Sequence, residues 1–120
     1  MSGIAMNVNL AAADSSSYVL PRPLVTPAWI AGDEDTFVSA DFTIDGYNVV
    51  HIRAMLTTGH LTEEFQSIDC DIEDATDFAV DLVSDARGTL YNMSVRVWEH
   101  GDLVSAVRSL VAKVQARQVA

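Results

Sequence analysis

The stretch Asp69-Cys70-Asp71-Ile72-Glu73-Asp74-Ala75-Thr76-Asp77 is the densest run of metal-capable side chains in the chain. A calcium loop of the EF-hand type starting at Asp69 requires glycine at its sixth place and glutamate at its twelfth. Those places hold Asp74 and Val80, and the pattern runs from a strand into a helix. Outward strand carboxylates followed by an aspartate helix cap account for it better, so no metal is assigned. His51, His60 and His100 fall on a strand, a loop and a turn, without the i, i+3 or i, i+4 partners that a helical zinc site uses. Cys70 alternates with Ile68 and Ile72, which places it in the core as a small hydrophobe and not as a nucleophile. Glu63 and Glu64 read as a solvated loop. The six glycines are scattered singly, so no phosphate-cradling loop is present. The expectation is a protein with no catalytic residue, metal or cofactor: not an enzyme.

Asp74, Asp77, Asp81 and Asp85 do form a pattern, an acidic stripe along the exposed side of a helix. Like charges at i, i+4 cost roughly 0.2–0.5 kcal/mol per pair. That is small beside a domain stability of roughly 5–15 kcal/mol, so the stripe is tolerated without a selected role. A contact with a basic partner is its functional reading.

Charge is unevenly placed. The chain carries a net charge of −10, with Lys113 its only lysine. Residues 1–32 are neutral, residues 33–100 set fifteen carboxylates against three arginines, and residues 101–120 sum to +2. Such a field repels nucleic acid and anionic membrane, which argues against direct binding of either. No run of apolar residues is long enough to span a bilayer. A single cysteine and an N-terminus without a positive region fit a cytoplasmic protein, or one assembled from a cytoplasmic pool.

The elements that position these residues follow from periodicity. Val38, Ala40, Phe42 and Ile44 alternate with polar residues, Asp45-Gly46 offers a tight turn, and Val50, Ile52, Ala54 and Leu56 alternate beyond it, predicting a hairpin. Ile68, Cys70 and Ile72 predict a third strand after a loop at Gly59. Ala75, Phe78, Ala79, Leu82, Val83 and Ala86 then fall at helical spacing, with Asp74 as N-cap and Gly88 as the stop. Tyr91, Met93, Val95 and Val97 predict a fourth strand. Gly101-Asp102 opens a last helix with the stripe Leu103, Val107, Leu110, Val111 and Val114. The fold class is α+β: a small, mainly antiparallel sheet of about four strands in the order β-β-β-α-β-α, with two helices on one face. Phe65, Trp98, Tyr47, Val49, Met55 and Leu90 are expected to leave the opposite face partly apolar.

Residues 1–32 form an extended N-terminal arm before an acidic domain at 33–120. Pro21, Pro23 and Pro27 keep the arm out of a central strand, although Met6, Val8 and Leu10 permit a short edge strand. Its apolar residues, notably Tyr18, Leu20, Leu24, Val25, Trp29 and Ile30, must either wrap their own domain or dock on a neighbour. The function expected is therefore a non-catalytic interaction or assembly subunit, viral or otherwise multi-subunit, docking through the arm and sheet face. It would form an oligomer or co-complex with a protein partner. The alternative is an acidic inhibitor or nucleic-acid mimic, of phage or mobile-element type, that blocks a basic nucleic-acid-binding protein.

Overall fold

The alternation from Val38 to Leu56 forms the hairpin it predicts. A computed structural model describes residues 27–119. It contains β1 (Trp29–Gly32), β2 (Thr36–Ile44), β3 (Val49–Thr58), β4 (Leu61–Asp71), α1 (Ile72–Asn92), β5 (Trp98–Gly101) and α2 (Leu103–Val119). The sheet runs β4-β3-β2-β1-β5, and every neighbouring pair is antiparallel. The class is α+β as expected, with five strands.

Register shows how the core is built. Trp29 opposes Ala40, Ala40 opposes Ala54, Phe42 opposes Ile52, and Ile52 opposes Ile68. Directly opposed residues share a face, so these side chains form one apolar surface. Against it pack Ala75, Ala79, Leu82, Ala86 and Leu90 of α1 and Leu103, Val107 and Val114 of α2, in a single cluster. Both helices lie on this face, and among the described residues the other face has no helix.

Several boundaries differ from expectation, each for a physical reason. Trp29 and Ile30 are not arm residues. They form the second strand from one edge, and both are buried. Beyond Trp29 the register would set Pro27 against Phe42, and proline has no N–H to give to the ladder. The chain bends at Ala28, and the Phe42 N–H goes instead to the Asp41 carboxylate at 3.1 Å. Tyr18, Leu20, Leu24, Val25 and the edge strand around Val8 lie outside the described residues. The hairpin turn is a four-residue connection, Asp45–Asn48, with the positive φ at Asn48 and not at Gly46. Glu63 and Glu64 belong to β4, which bulges opposite Ala54/Met55.

Helix α1 starts at Ile72 with Asp71 as N-cap, three residues before the expected cap, so Asp74 lies in its first turn. It continues through Gly88 to Asn92 because Leu90 is wholly buried against the sheet, and tertiary packing outweighs a glycine's helix penalty of roughly 0.5–1 kcal/mol. Tyr91 is therefore the end of a helix, and the last strand begins only at Trp98. Helix α1 ends in a Schellman turn. The Val95 N–H donates to Leu90 O and the Ser94 N–H to Tyr91 O, both at 3.0 Å, with Ser94 at φ 61°.

Glycine and serine thus occupy each other's preferred places. A Cβ at Gly88 meets nothing within 4 Å. Gly88→Ala combined with Ser94→Gly is expected to stabilise the protein by about 1–2 kcal/mol. Urea unfolding followed by circular dichroism measures it, with the slope unchanged.

Candidate functional site

The helix-free face presents two kinds of surface. Ile30, Phe37, Met55, Trp98 and His100 share it by register. Ile30 is 8% exposed yet stands outside the main core cluster, whereas Trp98 is 44% exposed. The Trp98 and His100 rings meet edge to face, 4.6 Å between centroids at 76°, a favoured aromatic geometry. Beside them Gly32, Asp33, Glu34, Arg96, Val97 and Trp98 line an open groove of about 410 Å³. Of the residues expected to make this face apolar, Leu90 is instead buried in α1. Phe65 is half-buried against the core, and Tyr47 stands exposed on the hairpin turn.

Toward the hairpin turn the same face becomes polar. His51 Nδ1 lies 2.7 Å from Asp69 Oδ1, and Nε2 lies 2.9 Å from Asp45 Oδ2. Arg53 Nη2 donates to the same Asp69 oxygen at 2.9 Å. Asp45 Oδ1 meanwhile accepts the N–H groups of Tyr47 at 2.8 Å and Val49 at 3.1 Å. Asp45 and then Asp69 hold the His51 imidazolium above its ordinary range. His51 in turn pulls both carboxyls below theirs. While the ring carries both protons, each N–H is given to a carboxylate and no lone pair is left to take a proton from a substrate.

On the helix side, Glu99 of β5 links three elements. Trp29 Nε1 donates to Glu99 Oε1 at 2.9 Å. Arg87 of α1 donates from Nε to Oε2 at 2.8 Å and from Nη2 to Oε1 at 2.9 Å. Arg87, with the Trp29 N–H adding to it, holds the Glu99 carboxyl below its usual range against the opposing effect of burial. Cys70 faces the core as its alternation predicts. Burial, and then the charges of Asp74, Asp71 and Asp69, push its thiol up, away from the reactive thiolate. Among the described residues, no group of three His, Cys, Asp or Glu side chains is arranged to hold a metal ion. No described helix is long and apolar enough to cross a membrane.

The expected acidic stripe is in place. Asp74, Asp77, Asp81 and Asp85 are all exposed along α1. Asp85 accepts from Gln66 Nε2 of β4 at 2.9 Å. The ion pairs among the described residues involve Asp45, Asp69 and Glu99, and none of the four stripe carboxylates. Asp69 lies on the opposite side of the sheet, so the acids divide between two surfaces.

No family model, curated protein or solved structure matches this chain.

The sequence pattern placed the stripe, but not the Trp29–Glu99–Arg87 link. The His51 cluster had a readable signal. Strand parity puts His51 and Arg53 on the outward face of β3, close to Asp45 of the turn, and pairing β3 with β4 sets Asp69 opposite His51.

Proposed function

We propose that this chain is a non-catalytic protein–protein interaction or assembly subunit, of a viral or other multi-subunit assembly, drawn from a cytoplasmic pool. It docks through its helix-free sheet face together with the apolar N-terminal arm. The observation that carries this reading is the one-sided covering of the sheet among the described residues, which leaves Trp98 44% exposed on a face it shares with Phe37, Met55 and His100. Exposed aromatics and methionine set in a rim of charge are the composition of docking surfaces, where truncating one aromatic anchor costs about 2 kcal/mol or more. The committed nitrogens of His51 and the protonated Cys70 thiol support a non-catalytic role.

The partner tested first is a second copy of the chain. Sedimentation velocity over a wide concentration range should show association in the wild type and its loss in Trp98→Asp, with the fold retained. A wild type that stays monomeric throughout would remove the self-assembly form of the proposal.

A second reading rests on the α1 stripe, whose carboxylates are exposed and unpaired with Arg or Lys among the described residues. It is the acidic inhibitor or nucleic-acid mimic directed at a basic nucleic-acid-binding protein. Charge reversal at Asp77, Asp81 and Asp85 separates the two readings. It abolishes a salt-sensitive contact with such a partner and leaves sheet-face association intact.

A further inference from the structure

We infer that His51 is a proton-operated latch on the β2–β3 turn, tying Asp45 of the turn to Asp69 of β4 only while both ring nitrogens carry hydrogen. One imidazole bridges two carboxylates at 2.7 and 2.9 Å. A neutral ring has one N–H and satisfies only one of them, turning a lone pair toward the other. The imidazolium satisfies both.

The two sides of the bridge are unequal. Asp69 is held in the β3–β4 ladder opposite His51 and is also bonded by Arg53. Asp45 stands in a loop, and its other oxygen caps the N–H groups of Tyr47 and Val49. When the ring loses a proton, the loop side is the side able to move. Asp45 is then the partner released, and its hold on the Tyr47 and Val49 amides loosens with it. Tyr47 is 91% exposed, and what remains to hold the turn is the backbone pair in which Asp45 N–H donates to Val49 O at 3.1 Å and Asn48 N–H to Asp45 O at 3.2 Å.

The charged neighbours reinforce the bridge. Facing His51 are Asp45 from the turn, Asp69 and Asp71 from β4, Arg53 from β3, and Asp41 of β2 across from Arg53. Of these, Asp45 and Asp69 bond the ring directly and favour a positive charge on it, while Asp71, Asp41 and Arg53 are neighbours by register. His51 titrates above its unfolded value near 6.5. Its stabilising contribution is therefore complete below that value and is lost as pH rises through the higher folded one. The carboxylates have the opposite dependence: their contribution is present above about 3.8 and is lost on acidification. The latch is closed between these limits and opens on the alkaline side.

The test is an NMR titration of the full chain, following the His51 ring and the Tyr47 and Val49 backbone amides. The amides should move with the ring, and their hydrogen-exchange protection should fall several-fold as His51 deprotonates. Asp45→Asn should lower the His51 midpoint and uncouple the two amides from it. Asp69→Asn should lower the midpoint while leaving the amides bonded to Asp45. The inference is overturned if the amides are indifferent to the His51 titration, or if neither variant moves its midpoint. His51→Gln provides a fold control: its turn amides should show no inflection across the same range, and one that persisted would place the titrating group elsewhere.

Discussion

Replacing Trp29 with alanine is expected to lower stability by about 3–5 kcal/mol, the cost of emptying a large buried aromatic site. For a chain of this length that corresponds to a fall in Tm of about 10–20 °C. Trp29 is 1% exposed and stands in the strand that joins the β2–β3–β4 meander to β5. Its loss opens a cavity beneath both helices and removes the donor to Glu99. Trp29→Phe divides the two effects. It keeps most of the ring volume and loses the Nε1 bond, for about 1–2 kcal/mol, because Arg87 still satisfies Glu99. Trp98→Ala is the comparison: the side chain is 44% exposed and touches the His100 ring, so its loss is expected to cost about 1 kcal/mol, well below Trp29→Ala. Thermal unfolding by circular dichroism ranks all three. Equal effects at Trp29 and Trp98 would contradict the placement of β1 inside the domain.

That placement shows where sequence reasoning loses its grip. Strands β2 and β3 are legible because one face is buried and the other is wet, which writes a period of two into the residues. All four residues of β1 are buried, and the strand follows three prolines, so Trp29-Ile30-Ala31-Gly32 shows no alternation. The four residues of β5 are all exposed and show none either. Conversely, Tyr91, Met93, Val95 and Val97 do alternate, but Leu90 is drawn into the core and carries the helix past Gly88. A long-range contact of one leucine outweighs a local pattern of four residues.

The candidate surfaces divide along the same line. The α1 stripe was legible because helical spacing is a local property, whereas the strand expected over Tyr91–Val97 does not form and the exposure of Trp98 follows from β5 instead. The His51 bridge needed the β3–β4 register as well as the hairpin, because Asp69 comes opposite His51 only across that ladder. The Glu99 link needed the whole topology, since Trp29 and Glu99 are separated by 70 positions and meet only because β5 returns alongside β1.

Glycine gives the sharpest case, and the second large effect. The sequence points to Gly46, in the Asp-Gly pair, as the glycine its turn requires. A Cβ there meets nothing within 4 Å, so Gly46→Ala is expected to change stability by no more than about 0.5 kcal/mol. Gly32 carries the constraint. It closes β1 at φ 138°, and a Cβ would drive into the Thr36 carbonyl oxygen and the Phe37 backbone. Neither obstacle is the flexible end of a side chain, so the turn itself must shift. That turn is held by Asp33, whose Oδ1 accepts the N–H groups of Asp35 and Thr36 at 2.8 and 2.7 Å. Backbone strain of about 1–3 kcal/mol adds to the loss of those bonds and of the Gly32–Trp98 pairing, so Gly32→Ala is expected to cost about 3 kcal/mol or more. Denaturant unfolding of Gly32→Ala and Gly46→Ala in parallel checks the contrast. The physical reason for it is that a glycine is required where two strands approach too closely for a side chain. Only the pairing of β1 with β2, and not the turn-like character of the local residues, creates that approach.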